Sequence, residues 1–190
     1  GFAEIIKCGL IGNKKIIKFL LRDKNLCKRL NNKDLAYIIL ETLKTKINFF
    51  KNDIKERNKR LNLNFGHTFA HSIEMATDKF LKKDFLRHGE AVGLGMLCEI
   101  MLQKGKNPEK TYKLTKQLLS KYNLPTSLEI PSNLKKKIHP TIYEGIFLDK
   151  KKISKNPRYI SVKKVGESNI MEINDFGALN DVIFKITKEI

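Results

Sequence analysis

Apolar residues recur at helical spacing along most of the chain, and strand-like alternation is confined to one stretch near its end. Residues 2–7 (Phe-Ala-Glu-Ile-Ile-Lys) read as helix from the outset, and a second helical stretch covers 14–22. After Asn32, a candidate N-cap, Leu35, Ile39, Leu43, Ile47, Phe50 and Ile54 follow at steps of three or four and form one helical stripe. Residues 64–77 and 87–103 predict two more helices. The second of these is apolar nearly all round, so it is expected to be buried. Its glycines, Gly89, Gly93 and Gly95, cost stability unless close packing requires them. Helical pattern resumes over 108–122, and Pro125, Pro131, Pro140 and Pro157 punctuate the remainder. Only 158–165 alternates like a strand, with 169–173 as its candidate partner, and 175–190 reads as helix again. The expected fold is mainly α: a multi-helix domain over 1–190 with a small β-hairpin, without internal repeat or linker.

Composition narrows the class. With 41% hydrophobic and 31% charged residues, the 190-residue chain is globular rather than disordered. The longest apolar run, 91–98, stops at Glu99, well short of the about 20 residues that span a bilayer. No membrane partner is expected. Thirty-eight Lys and Arg against 20 Asp and Glu give a net charge of +18, which invites a nucleic-acid reading. The basic residues are mostly lysines scattered along the chain, as at Lys14 and Lys15, Lys82 and Lys83, and Lys135 to Lys137, so no nucleic-acid partner is expected. Cys8, Cys27 and Cys98 are odd in number and far apart. They suit neither a disulfide framework nor a zinc pair, and with no basic-then-apolar leader the expected compartment is the reducing cytoplasm. A helix that starts at Gly1 rather than after a methionine reads as a segment of something longer.

The candidate chemistry gathers around histidines. In Gly66-His67-Thr68-Phe69-Ala70-His71 the two imidazoles stand at i, i+4 on one helix side, and Glu74 extends that side. Phe65, Phe69 and Ile73 form the opposite, greasy side. Such a pair suits a divalent metal, or a ligand with a neighbouring proton shuttle; the bland alternative is two surface or cap histidines. His88 opens the next helix and adds a third imidazole close in sequence. Glu4 and Lys7, at i, i+3, share a face of a mostly apolar helix, where a carboxylate and an ammonium need partners or a watery site. Arg60 and Asn64 precede His67 by seven and three residues, as site groups or as a solvated cation and a helix cap. Asp149-Lys150-Lys151 reads as a solvated charge run. Glu4, His67 and His88 would make the one-carboxylate, two-histidine set common in catalytic zinc sites, with coordination positions left open. His71, Lys7, Arg60, Asn64 and Lys150 would ring it with donors and cations suited to an anionic, hydroxyl-rich substrate such as a sugar acid phosphate. Spacing alone does not name the reaction.

Taken in order, these segments resemble the C-terminal domain of the 3-dehydroquinate synthase family. The stretches that carry the resemblance are residues 1–11, 63–74, His88-Gly89-Glu90-Ala91-Val92 with Gly95-Met96, and Asp149-Lys150-Lys151 with Arg158 and Val165-Gly166. The resemblance implies that Glu4, His67 and His88 bind a divalent metal, zinc or cobalt. It implies catalytic roles for Lys7, His71 and Lys150, and substrate contacts from Arg60, Asn64 and Lys151. It implies conversion of 3-deoxy-D-arabino-heptulosonate 7-phosphate to 3-dehydroquinate and phosphate, in the shikimate route to aromatic amino acids, by a full-length homodimer. In that family NAD is held mainly by an N-terminal domain. No Gly-rich strand–turn–helix occurs in these 190 residues, so the chain alone is expected to bind metal weakly and not to turn over. A related sugar-phosphate cyclase or metal-dependent alcohol dehydrogenase on the same architecture is the alternative.

Overall fold

The structure, a computed structural model, describes residues 1–22, 31–51, 53–55, 58–105, 108–148 and 156–190. Among these, the helices are α1 (Phe2–Gly12), α2 (Lys14–Leu21), α3 (Asn32–Lys51), α4 (His67–Phe80), α5 (His88–Met101), α6 (Pro108–Lys121), α7 (Lys135–Leu148) and α8 (Phe176–Ile186). The mainly helical fold with one hairpin is as the periodicity predicts. Strands β2 (Arg158–Lys164) and β3 (Glu167–Glu172) form that hairpin in antiparallel register, Tyr159 opposite Met171 and Ser161 opposite Asn169. No helix among the described residues is long and apolar enough to cross a membrane.

Helix α5 is the axle. Every residue from Ala91 to Ile100 is buried, and α1, α4, α6 and α8 pack around it. Its one buried charge, Glu99, has a structural partner: Oε2 accepts from the Ile160 backbone N–H at 2.7 Å and ties the hairpin to the axle. Close packing explains the glycines of α5 unequally. A Cβ at Gly95 would stand 1.9 Å from the Gly66 carbonyl oxygen, and one at Gly93 would press on Leu119 at 3.1 Å. At Gly89 it would meet only the Ala3 Cβ at 3.7 Å. Gly66 itself has φ +85° and lies against Val92 O and Met96 N, so its position demands both the left-handed backbone and the missing side chain.

Four expectations change. Pro140 does not break the chain but lies inside α7, a helix the sequence reading missed. Proline removes one backbone N–H, and the Lys136 carbonyl it would have served is on an exposed turn where water can satisfy it. The last stretch is helical only to Ile186. Thr187–Glu189 forms β4, parallel to β1 (Leu128–Ile130), a pairing of three-residue strands that no local pattern announces. The histidine helix begins at His67 behind Gly66, so Asn64 is not its cap; it closes a 3₁₀ turn over Lys59–Asn64. The stripe is helical only from Leu35 to Phe50, since α3 ends at Lys51 and Ile54 lies in a turn, and it faces outward: Leu35, Ile39, Leu43, Ile47 and Phe50 are all exposed, while Ile38, Glu41, Thr42 and Thr45 point inward.

Candidate metal and substrate site

Two helix starts and one helix face bring three imidazoles together. His67 is the first residue of α4, placed by the Gly66 turn against α5. His88 is the first residue of α5, whose opening turn is closed by the Arg87 backbone N–H donating to Glu90 Oε2 at 2.8 Å. His71 follows one turn along α4. Ring centroids lie 5.3 Å apart for His67 and His88, 5.7 Å for His67 and His71, and 6.2 Å for His71 and His88. Phe69 and Ile73 are fully buried on the other side of α4, so one face packs and the other gathers imidazoles.

Each of the two helix-starting histidines has one ring nitrogen engaged. His67 Nδ1 lies 3.3 Å from the Phe65 carbonyl oxygen, and His88 Nδ1 lies 3.0 Å from Glu74 Oε1. A carbonyl or carboxylate on one nitrogen fixes the tautomer and presents the other as a lone-pair donor, the arrangement of metal-binding histidines. Burial, then the Lys7 cation, lowers the His67 pKa to about 4, so this ring is neutral at physiological pH.

The carboxylate comes from α1. Ala3 packs against the position of Gly89, which sets Glu4 beside the start of α5. Lys7 Nζ lies 2.6 Å from Glu4 Oε1, and Lys46 Nζ, from α3, lies 2.7 Å from Oε2. Burial pushes the Glu4 carboxyl up, but the two ammonium groups outweigh it and hold its pKa down at about 2. Burial also lowers the pKa of Lys7, which Glu4 offsets only in part. Oε1 is screened from solvent and, despite the nearby ammonium, accepts no hydrogen bond of good geometry.

This donor set fits a divalent ion: two imidazoles each with one nitrogen pre-engaged, and a buried ionised carboxylate oxygen lacking a well-formed hydrogen bond. Among the described residues, no three His, Cys, Asp or Glu groups stand close enough to enclose an ion as they are. Lys7 and Lys46 supply the positive charge that Glu4 draws to itself.

The other expected residues fall in different places. Arg60 is held by its backbone N–H to Asp53 Oδ2 at 3.0 Å. Its guanidinium lies over the Phe50 ring, 4.1 Å from the centroid, with Nη1 donating to the Ile54 carbonyl. Asn64 is half-buried three residues before His67. Lys150 and Lys151 lie outside the described residues, as does Cys27; Cys8 and Cys98 are buried free thiols. The fourth histidine, His139, is in another part of the molecule, 2.7 Å from Thr187 Oγ1 and edge-on to Phe184. Two groups at the cluster were absent from the expected site. Glu74 could be foreseen from its place on the histidine face. Lys46 is one of 38 basic residues and 42 positions from Glu4; the only hint was that a carboxylate on an apolar helix needs a second counter-charge.

The family model and the curated relatives place the chain in the 3-dehydroquinate synthase family. Residues 1–152 match the family model described as 3-dehydroquinate synthase C-terminal. The chain is 36% identical to the 3-dehydroquinate synthase of Sulfurimonas denitrificans over 191 residues, covering all of this chain and 51% of the relative. It is 32% identical to that of Corynebacterium efficiens over 183 residues, 94% of this chain and 47% of the relative. It thus spans about half the length of the curated relatives it matches. Among solved structures, it is similar to 2-epi-5-epi-valiolone synthase from Streptomyces hygroscopicus with NAD+ and Zn2+ bound (TM-score 0.75, 16% identity, 97% of this chain and 49% of that one). It is also similar to 2-deoxy-scyllo-inosose synthase complexed with carbaglucose-6-phosphate, NAD+ and Co2+ (TM-score 0.70, 22% identity, 97% and 51%). At these identities the two structures establish the fold.

Proposed function

Because the chain belongs to the 3-dehydroquinate synthase family, we propose that it forms the metal- and substrate-binding half of a 3-dehydroquinate synthase. The substrate is 3-deoxy-D-arabino-heptulosonate 7-phosphate and the products are 3-dehydroquinate and phosphate. The compartment is the cytoplasm and the pathway that of aromatic amino acids. The observation that carries the site assignment is the meeting of His67, His71 and His88 beside the Glu4 carboxylate.

Glu4, His67 and His88 would hold the ion and Glu74 would orient His88. A zinc or cobalt ion so held would polarise hydroxyl and carbonyl oxygens, and NAD, bound mainly by the other half, would supply reversible hydride transfer. Lys7 and Lys46 place two ammonium groups at the carboxylate. On release from Glu4 they would set positive charge against the substrate's carboxylate or developing alkoxide. His71, exposed and within 6.2 Å of both other rings, would exchange a proton with a substrate hydroxyl. Arg60, Asn64, Lys150 and Lys151 are the proposed substrate-binding groups around this centre.

The test pairs the full-length protein with its substrates. With zinc and NAD it should release phosphate from the heptulosonate phosphate, and His67→Ala and His88→Ala should abolish both zinc retention and release. The 190-residue chain alone should take up zinc and release no phosphate. The structural likeness to 2-deoxy-scyllo-inosose synthase complexed with carbaglucose-6-phosphate supports a second reading, a related sugar-phosphate cyclase. Turnover of glucose 6-phosphate, with none of the heptulosonate, would replace the first reading by that one.

A further inference from the structure

The hairpin of β2 and β3 is tied by hydrogen bonds to four elements at the candidate site. Thr68, next to His67 on α4, donates its hydroxyl proton to the Arg158 carbonyl oxygen at 2.8 Å. Glu99 of α5 accepts from the Ile160 backbone N–H. Helix α1, which carries Glu4 and Lys7, ends at Gly12 with no basic residue in its last turn. The last four carbonyls of a helix find no partner within it. Here the Gly166 N–H donates to the Leu10 carbonyl oxygen at 2.7 Å, and the Ser168 hydroxyl donates to that of Ile11 at 3.1 Å. The carboxylate helix is therefore capped by a residue 157 positions away. The fourth element is the 3₁₀ turn over Lys59–Asn64, and Ser168 reaches that as well.

Ser168 stands opposite Val162 on a strand face that is otherwise apolar and turned to the core, where a hydroxyl is costly without a partner. Its oxygen is 2.9 Å from Asn62 Oδ1 as well as 3.1 Å from the Ile11 carbonyl, so its one proton is shared between two acceptors. Asn62 is buried, and its amide is oriented by Nδ2 donating to the Lys59 carbonyl at 2.9 Å. In the turn it is midway between Arg60 and Asn64. A hydroxyl that only capped α1 would need one acceptor. We infer that Ser168 is a positioning residue: its hydroxyl fixes the turn that carries Arg60 and Asn64 against the helix that carries Glu4. The inference rests on the proposed function in taking Glu4 as a metal ligand and Arg60 and Asn64 as substrate contacts. A substrate held at one end by the metal and at the other by Arg60 and Asn64 binds well only where the spacing of the two grips matches it.

The test uses the full-length protein with zinc and NAD. Ser168→Ala should raise KM about fivefold for the sugar phosphate that the parent turns over, the size of one hydrogen bond, with kcat and zinc affinity within about twofold of the parent. Ser168→Thr, which keeps the hydroxyl, should restore KM. Asn62→Ala, which leaves the bond to Ile11 in place, should raise KM as Ser168→Ala does. A lower melting temperature in Ser168→Ala with KM unchanged would reduce Ser168 to a cap of α1 and overturn the inference. Loss of zinc affinity with KM unchanged overturns it in favour of a role at Glu4 alone. Hydrogen exchange reads the clasp without turnover. The backbone amides of Leu61 and Phe65, bonded within the turn, should exchange several-fold faster in Ser168→Ala, with those of α6 unchanged. Unchanged exchange at the turn overturns the inference whatever the kinetics. A parent that turns over no sugar phosphate counts against the proposed function, and faster exchange at the turn in Ser168→Ala would then still support the clasp.

Discussion

Gly95→Ala tests the contact that places His67 relative to His88. A methyl at this position would sit 1.9 Å from the Gly66 carbonyl oxygen and 2.8 Å from its carbon, whereas ordinary contact begins at 3.4 Å. About 1.5 Å must be found. The obstacle is backbone at the turn into α4, not a side chain that can rotate away, so α4 and α5 must part. Overpacking of this kind costs about 1–3 kcal/mol, and a backbone obstacle belongs at the upper end. Alanine's better helix propensity returns at most about 1 kcal/mol. A net loss of about 2–3 kcal/mol corresponds to a melting temperature lower by about 4–12 °C in a chain of this size.

Gly89→Ala is the paired control in the same helix. Its methyl would meet only the Ala3 Cβ at 3.7 Å, an ordinary contact. It should leave the melting temperature unchanged or raise it, by up to about 1 kcal/mol in free energy. The assay is thermal unfolding followed by circular dichroism in the helical band, with zinc uptake measured on the same samples. Gly95→Ala should lose zinc affinity together with stability, because His67 and His88 ride on the two helices it separates. If it melts within about 2 °C of the parent, or if both substitutions shift melting equally, the close approach of α5 to Gly66 is wrong.

Three further outcomes follow from the same geometry. Glu74→Gln should weaken zinc binding by about 10–100-fold while leaving the helical content intact, as measured by competition with a chromophoric chelator. Glu4 has a folded pKa near 2 against an ordinary value of 4.5, so in the metal-free chain its contribution to stability is complete above about pH 4.5 and is lost as pH falls towards 2. Glu4→Gln should flatten that part of the stability profile read by denaturant titration. Lys46→Met removes one of the two ammonium groups that outweigh burial at Glu4, so the Glu4 carboxyl should titrate above about 2 in carbon-detected NMR.

Helix periodicity and the lone alternating segment were enough to predict most of the helices and the hairpin, because each is decided by spacing within about 20 residues. What escaped is decided by distant partners. Strand β4 exists through its parallel partner β1, and α7 survives Pro140 because the carbonyl left without a partner is on an exposed turn. On α3 the stripe was legible but its direction was not: period identifies a face without saying what it meets. At the site, His67 and His71 could be placed on one side from i, i+4 spacing, and the structure adds His88 through the packing of α4 on α5. Lys46 escaped because lysine is common here and its pairing with Glu4 crosses 42 positions.

The polar inward face of α3 gives that long-range pairing its precision. An apolar face slides against its neighbours with small changes in energy, whereas buried polar groups lose hydrogen bonds when they move. The Asn13 side chain is fixed twice over: its oxygen accepts from the Lys15 backbone N–H at 3.1 Å, capping α2, while its amide holds Glu41 and Thr45. That clamp joins the turn between α1 and α2 to the middle of α3. Glu4 is on α1 and Lys46 is the residue after Thr45, so the same clamp sets the ammonium at its 2.7 Å distance from the carboxylate. The outward stripe is then held at a fixed angle to the site.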